Sequence, residues 1–143
     1  MSTPYSGPVT HAPIAVQWLN GQIYEASRVQ GPKIRIDGDG QTAPSPFDVL
    51  LAAIATCAAV DVVTILKKRR TPVRALSIRV ESNRVESIPH RLASAVLHFR
   101  ISAPGTTSEQ ATRAVELSVT KYCSVRSSLI ADASVTWQVE LDV

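Results

Sequence analysis

Residues 45–70, Ser-Pro-Phe-Asp-Val-Leu-Leu-Ala-Ala-Ile-Ala-Thr-Cys-Ala-Ala-Val-Asp-Val-Val-Thr-Ile-Leu-Lys-Lys-Arg-Arg, constrain this chain more than any other stretch. Ser45 followed by Pro46 reads as a helix N-cap and first helical position. Asp48 in the first turn and Lys67, Lys68, Arg69 and Arg70 in the last complement the two ends of the helix dipole. Pro72 then stops the helix. Between Val49 and Val60 only Thr56 and Cys57 are polar, so the helix has no wet stripe and needs cover all round. A membrane span is the rival reading, since the length suffices and the basic cluster resembles a cytoplasmic flank. Asp61 opposes it, because a central Asp costs roughly 3 kcal/mol on insertion scales. The segments downstream also read as elements that need this helix as their core.

Those segments are legible from periodicity. Residues 1–13, with Pro4, Gly7, Pro8 and Pro13, read as an extended lead-in. Ile14–Trp18 and Gln22–Arg28 read as short strands joined at Asn20-Gly21, and Lys33–Asp37 as a third. Gly38–Pro44 is a loop into the helix. After Pro72, Leu76, Ile78 and Val80 alternate with Ser77, Arg79 and Glu81; later Leu97, Phe99 and Ile101 alternate with His98 and Arg100. Thr107-x-x-Gln110 is a capping box. It opens a helix with Ala111, Ala114, Val115, Ser118 and Tyr122 on one stripe, predicted to reach Cys123. Val135 to Val143 alternate again as a last strand. The order predicts an α+β protein, helices packed on antiparallel sheet, with residues 14–143 as one domain. One small sheet covers such a helix poorly, so an intertwined homodimer is expected.

Composition removes several classes of function. With 143 residues, 45% hydrophobic and 19% charged, the chain is a folded domain rather than a disordered one. A net charge of +3 and 5% aromatic content leave no basic stripe or stacking platform for nucleic acid. Met1–Thr10 lacks the pattern of a signal peptide, so a cytoplasmic location is the expectation. Two cysteines without C-x-x-C spacing and three scattered histidines make no zinc site.

Cys57 and Cys123 are then the one constellation with chemical content. Two readings stay open on the residues alone. Free cysteines often fill cores as small hydrophobes. Alternatively Cys57 is a placed nucleophile, although Asp61, one turn on, disfavours a thiolate, so a cation would have to come from Arg35 or Arg126. His90 and His98 read as a loop and a strand-surface residue, Ser124, Ser127 and Ser128 as helix-terminating residues, and Lys67–Arg70 as a solvated helix end. Trp18 and Trp137 read as core or interface anchors.

The run Ser45–Cys57 with Asp61-Val-Val-Thr-Ile-Leu, and the later Arg113-Ala-Val-Glu-Leu-Ser with Lys121-Tyr-Cys-Ser-Val125, resembles the OsmC/Ohr family of thiol-dependent peroxidases. Both motifs fall in order, and the resemblance runs over roughly residues 15–143. It implies an OsmC-like fold: antiparallel sheets packed on two long central helices in an intertwined homodimer. It implies that Cys57 attacks an organic hydroperoxide and becomes a sulfenic acid, and that Cys123 resolves it as a disulfide. An arginine is implied to hold the thiolate, with Arg35 the choice and Lys33 or Arg28 behind it. A carboxylate is implied to orient that arginine. The family glutamate is replaced here by Phe47, and Asp48 is the nearest carboxylate. Phe47, Leu50 and Leu51, with the partner subunit, are the expected apolar substrate pocket. The reductant expected is a dithiol, such as a lipoylated protein, and no metal, haem or other cofactor is called for. The alternative is a non-enzymatic member that binds a small apolar ligand or senses oxidation; a purely structural dimerisation domain is the third.

Overall fold

A computed structural model of the chain describes residues 10–142. Most of the extended lead-in and the final Val143 therefore lie outside the described residues. The elements are β1 (Ile14–Asn20), β2 (Ile23–Arg28), β3 (Ile34–Asp37), α1 (Pro46–Lys68), β4 (Ala75–Arg84), β5 (Leu92–Ser102), α2 (Ser108–Leu117), a π-helical turn (Ser118–Tyr122), α3 (Ser124–Ser127) and β6 (Ser134–Asp142). This is the α+β order that the periodicity predicts. The chain divides into two compact units, Met1–Val49 and Leu50–Val143.

The first unit is a meander in the order β1-β2-β3, antiparallel throughout. Its first turn pairs Asn20 with Ile23, so Gly21 and Gln22 form the loop, one residue later than predicted. Gly21 takes φ +52°, a conformation that favours glycine. Opposite residues share a face. Ile14, Val16 and Trp18 therefore stand with Ala26, Tyr24, Ile34 and Ile36 on one apolar face. Ile14, Val16 and Trp18 are 57%, 65% and 61% exposed. Trp18 is not a core residue of this chain; its indole N–H donates to the Gly21 carbonyl at 2.8 Å.

The loop into α1 is organised by one carboxylate. Asp37 is buried, and its oxygens accept the N–H groups of Asp39, Gln41 and Thr42 at 2.9, 3.0 and 2.9 Å and the Thr42 hydroxyl at 3.1 Å. The Thr42 and Asp39 N–H groups, foremost, hold this carboxyl below its ordinary range. At the end of the loop Ser45 caps α1. Its hydroxyl accepts the Asp48 N–H at 3.2 Å, and the Asp48 carboxylate accepts the Ser45 N–H at 2.9 Å. This is a capping box closed by aspartate.

The second unit packs helices on the sheet β4-β5-β6. β4 and β5 run antiparallel, but β6 runs parallel to β5, which corrects the all-antiparallel expectation. The reason is the connection: α2 lies between β5 and β6, and a helical crossover returns the chain in the same direction. Leu97, Phe99 and Ile101 of β5 are buried with Ile54, Ala58, Val62 and Leu66 of α1 and Ala111, Ala114 and Val115 of α2. α1 ends by bonds from Thr71 N–H to Leu66 O and Arg70 N–H to Lys67 O, with Arg70 at φ +64°. That is a Schellman termination in which arginine stands where glycine is usual.

α1 is long and apolar enough, by length and composition, to cross a membrane. The core helix of a globular protein meets the same criterion, and here Ile54, Ala58, Val62 and Leu66 are fully buried. The helix is nevertheless not covered all round by its own chain. Ala52, Thr56, Val60 and Thr64, spaced one turn apart, form an exposed stripe. The Thr56 and Thr64 hydroxyls donate to the carbonyls of Ala52 and Val60 at 2.8 and 2.9 Å. The stripe thus presents methyl groups rather than free polar groups.

Candidate functional site

The second helical segment does not reach Cys123 as a regular helix. Ser118 is buried and its hydroxyl donates to Ala114 O at 2.7 Å, while the Thr120 hydroxyl donates to Glu116 O at 2.6 Å. Hydroxyls that compete for helical carbonyls loosen the backbone ladder. The ladder widens into the π turn Ser118–Tyr122 and breaks at Cys123, whose φ and ψ are −75° and 100°. The changed pitch also rotates Tyr122 off the buried stripe, where the sequence places it; its ring is exposed, and Val119 is buried instead.

The break makes Cys123 the N-cap of α3. Its Sγ accepts the Arg126 N–H at 3.3 Å, and its thiol donates to Ile54 O at 3.9 Å, a carbonyl in the turn of α1 just before Cys57. Cys123 thereby comes close to Cys57, near enough that each thiol acts on the proton affinity of the other. Both are free. Cys123 is buried and Cys57 half-buried. Ser124, the next residue, sets its hydroxyl 3.9 Å from Cys57 Sγ.

The pair is electrostatically asymmetric. Burial pushes the Cys57 thiol up, but it is outweighed by hydrogen bonds from the Val125 N–H, the Cys123 thiol, and the Ser124 hydroxyl and N–H. Cys57 lies below its ordinary value. For Cys123 burial again pushes up, and the Arg126 N–H pulls down. The bond to Cys57 and the charge there add to burial, so Cys123 stays above its ordinary value. The surroundings thus favour the thiolate at Cys57 and the thiol at Cys123.

The remaining predicted residues are distributed as follows. Leu50 and Leu51 are half-buried on α1, as is Phe47 in its first turn. Asp48 is engaged in the capping box; the Ser45 N–H and then the Ser45 hydroxyl hold its carboxyl below the ordinary range. Arg35 lies on β3 of the first unit, directly across from Glu25, and Arg28 on β2 across from Ile14. Lys33 precedes β3. Arg126 contributes its backbone N–H to Cys123. His90 sits in the β4–β5 connection with its ring against Val85 O, and His98 lies on the outer sheet face beside Glu81. That face also bears a concavity of about 370 Å³ lined by Ser77, Arg79, His98, Arg100, Gln138 and Glu140, with neither cysteine in its wall. Among the described residues no three of His, Cys, Asp and Glu converge as a metal site.

Sequence reasoning missed the donors. It read Ser124 as a helix-terminating residue, whereas Ser124 starts α3 and faces Cys57 with Val125. No local signal marks them: Ser118 and Thr120 bond back to helical carbonyls, but Thr56 and Thr64 do the same in α1 without breaking it.

The chain is similar to known proteins over most of its length. The chain is 35% identical over 127 residues to Protein YhfA of Escherichia coli, covering 88% of this chain and 95% of YhfA. An OsmC like protein from Mycoplasma pneumoniae superposes with a TM-score of 0.79 at 15% identity, covering 94% of this chain and 99% of that one. An organic hydroperoxide resistance protein OsmC from Legionella pneumophila superposes with a TM-score of 0.67 at 14% identity, covering 94% and 99%. These two likenesses bear on the fold. The family described as OsmC-like protein matches residues 38–140, a span that holds both cysteines and everything between them. The chain belongs to the OsmC-like protein family.

Proposed function

We propose that the protein is a cysteine-based peroxidase that reduces organic hydroperoxides. The observation that carries this reading is the pair of free thiols: a half-buried Cys57 within a turn of the Ile54 carbonyl that receives the buried Cys123 thiol. The Cys57 thiolate attacks the distal oxygen of ROOH. The O–O bond breaks, ROH leaves after taking a proton, and Cys57 becomes the sulfenic acid. Cys123 then attacks that sulfur, an S–S bond forms, and water carries away the sulfenic oxygen. A dithiol reductant, such as a lipoylated protein, returns both thiols and leaves as its own disulfide. The sulfurs are the redox centre, so the cycle calls for no cofactor.

Arg35 takes the part of the thiolate-holding arginine and Asp48 that of its carboxylate, by family analogy. Phe47, Leu50 and Leu51 supply apolar pocket wall and favour greasy peroxides. A second copy of the chain covers the Ala52–Thr64 stripe of α1, giving a cytoplasmic homodimer. Exposed Ala52 and Val60 in that stripe, with Val63 beside it, support this, since uncovered apolar side chains that cluster on one face mark interaction surfaces. Light scattering tests it, and a stable monomer contradicts it.

The peroxidase reading is tested by consumption of tert-butyl or linoleic hydroperoxide with dihydrolipoamide. Sustained turnover that disappears in Cys57→Ser supports it, and no turnover refutes it. One observation favours a second reading, an oxidation sensor without fast turnover: the Asp48 carboxylate is taken up by the α1 cap. One stoichiometric oxidation without turnover identifies the sensor.

A further inference from the structure

We propose that the Ser124 hydroxyl is a catalytic hydrogen-bond donor to the Cys57 sulfur, which it holds in the ionised state. The inference rests on Cys57 as the reacting thiol and adds a donor from within the same unit.

The need for such a donor follows from where Cys57 stands. It lies in the interior of a 23-residue helix, where backbone N–H groups are committed to carbonyls one turn back. The neighbouring hydroxyl on α1, Thr56, donates to Ala52 O at 2.8 Å. Asp61 follows one turn later and brings a negative charge. Little on the helix itself is therefore available to favour a thiolate. The donor comes from the break after the π turn, where Ser124 Oγ lies 3.9 Å from Cys57 Sγ. Among the described residues that sulfur is the one partner the Ser124 hydroxyl has.

Ser124 is also held in place. Its carbonyl accepts the Ser128 N–H at 3.1 Å and the Ser128 hydroxyl at 2.8 Å. The preceding residue is fixed by the bond from Arg126 N–H to Cys123 Sγ. A hydroxyl on a backbone anchored at both sides has only its own rotation to lose when it bonds to sulfur. Ser124 is itself an exposed residue. Serine donates and keeps its proton, so this interaction adds no charge to the pocket.

The test is the pH profile of Cys57 alkylation by iodoacetamide in the full-length reduced protein, read by mass spectrometry of the Cys57 peptide. Removing the hydroxyl in Ser124→Ala moves the midpoint up and lowers the reactive fraction at neutral pH by about threefold to tenfold, a tenfold change being one pKa unit. Ser124→Thr, which keeps the hydroxyl, restores most of the difference. The buried Cys123 peptide in the same digest, still slow to alkylate, reports an intact fold. Should Ser124→Ala lose that protection, Ser124→Gly removes the same hydroxyl and takes its place. A folded variant without the hydroxyl that titrates like the parent overturns the proposal, as does an equal shift in Ser124→Thr. No peroxide enters the measurement, so its failure is distinct from failure of the peroxidase reading.

Discussion

The two thiols stand on backbones of opposite character. Cys57 is carried by α1, an unbroken helix of 23 residues with a closed capping box at one end and a Schellman termination at the other. Cys123 is carried by a segment that changes from α to π, breaks, and restarts as one short turn. A regular helix holds a side chain firmly but has no spare donors in its interior. A broken helix has spare donors in plenty. Placing the second segment over the first supplies the N–H groups of Ser124 and Val125 and the Ser124 hydroxyl to a sulfur that its own helix does not stabilise. Rigidity and polarity at the site come from different stretches of chain.

The most severe way to break this division of labour is to remove either sulfur. Cys57→Ser is expected to reduce hydroperoxide turnover to background. Cys123→Ser is expected to leave the first oxidation intact and let Cys57 pass on to the sulfinic acid, seen as a gain of two oxygens on its peptide. Next in size is the packing beneath the contact. Ile54 is fully buried and its carbonyl receives the Cys123 thiol, so Ile54→Ala is expected to cost about 2–5 kcal/mol in denaturant unfolding. Loss on that scale would also loosen Cys123, giving faster alkylation of its thiol.

The coupling between the sulfurs gives a subtler measurement. Cys123→Ala removes the neighbouring thiol that lowers the Cys57 proton affinity, so the Cys57 alkylation midpoint is expected to rise. Cys57→Ala removes a charge facing Cys123, so the Cys123 midpoint is expected to fall. Opposite movements sharpen the comparison; movement in the same direction breaks it.

The smallest expected effect lies at the start of α1. Ser45→Ala opens the capping box and is expected to cost about 1 kcal/mol. The pH dependence carries the sign of a depressed carboxyl. The Asp48 contribution is fully present above the unfolded-state value and is lost as pH falls through the lower folded value. Asp48→Asn should therefore flatten the acid side of the stability profile, which thermal unfolding at a series of pH values measures.

How much of this was legible in the sequence differs between the same two regions. α1 was nearly all legible, because its cap, dipole charges and terminator are local chemistry written within a turn of each end: Ser45, Asp48, Lys67 and Lys68. The alternation of β5 was equally plain, and Leu97, Phe99 and Ile101 are all buried as it required. The parallel partner of β6 was not legible, since strand direction is fixed by a tertiary crossover and leaves no mark on alternation. The break at Cys123 was hidden for a related reason. The stripe from Ala111 to Tyr122 assumes 3.6 residues per turn throughout, and the π turn shifts the phase before the stripe ends. Cys57 and Cys123 were identifiable as the chemical residues; the donors around them were not, because two of them are backbone N–H groups, which every sequence has.

The central claim is that one peroxide converts these two thiols into one bond. The direct test is peptide mapping, without reduction, of the protein treated with one equivalent of an organic hydroperoxide. The account predicts one dominant cross-linked species that joins the Cys57 and Cys123 peptides and two hydrogens lost in mass. Cys57 recovered as sulfinic acid beside a free Cys123 thiol, or both thiols recovered unchanged, would contradict it.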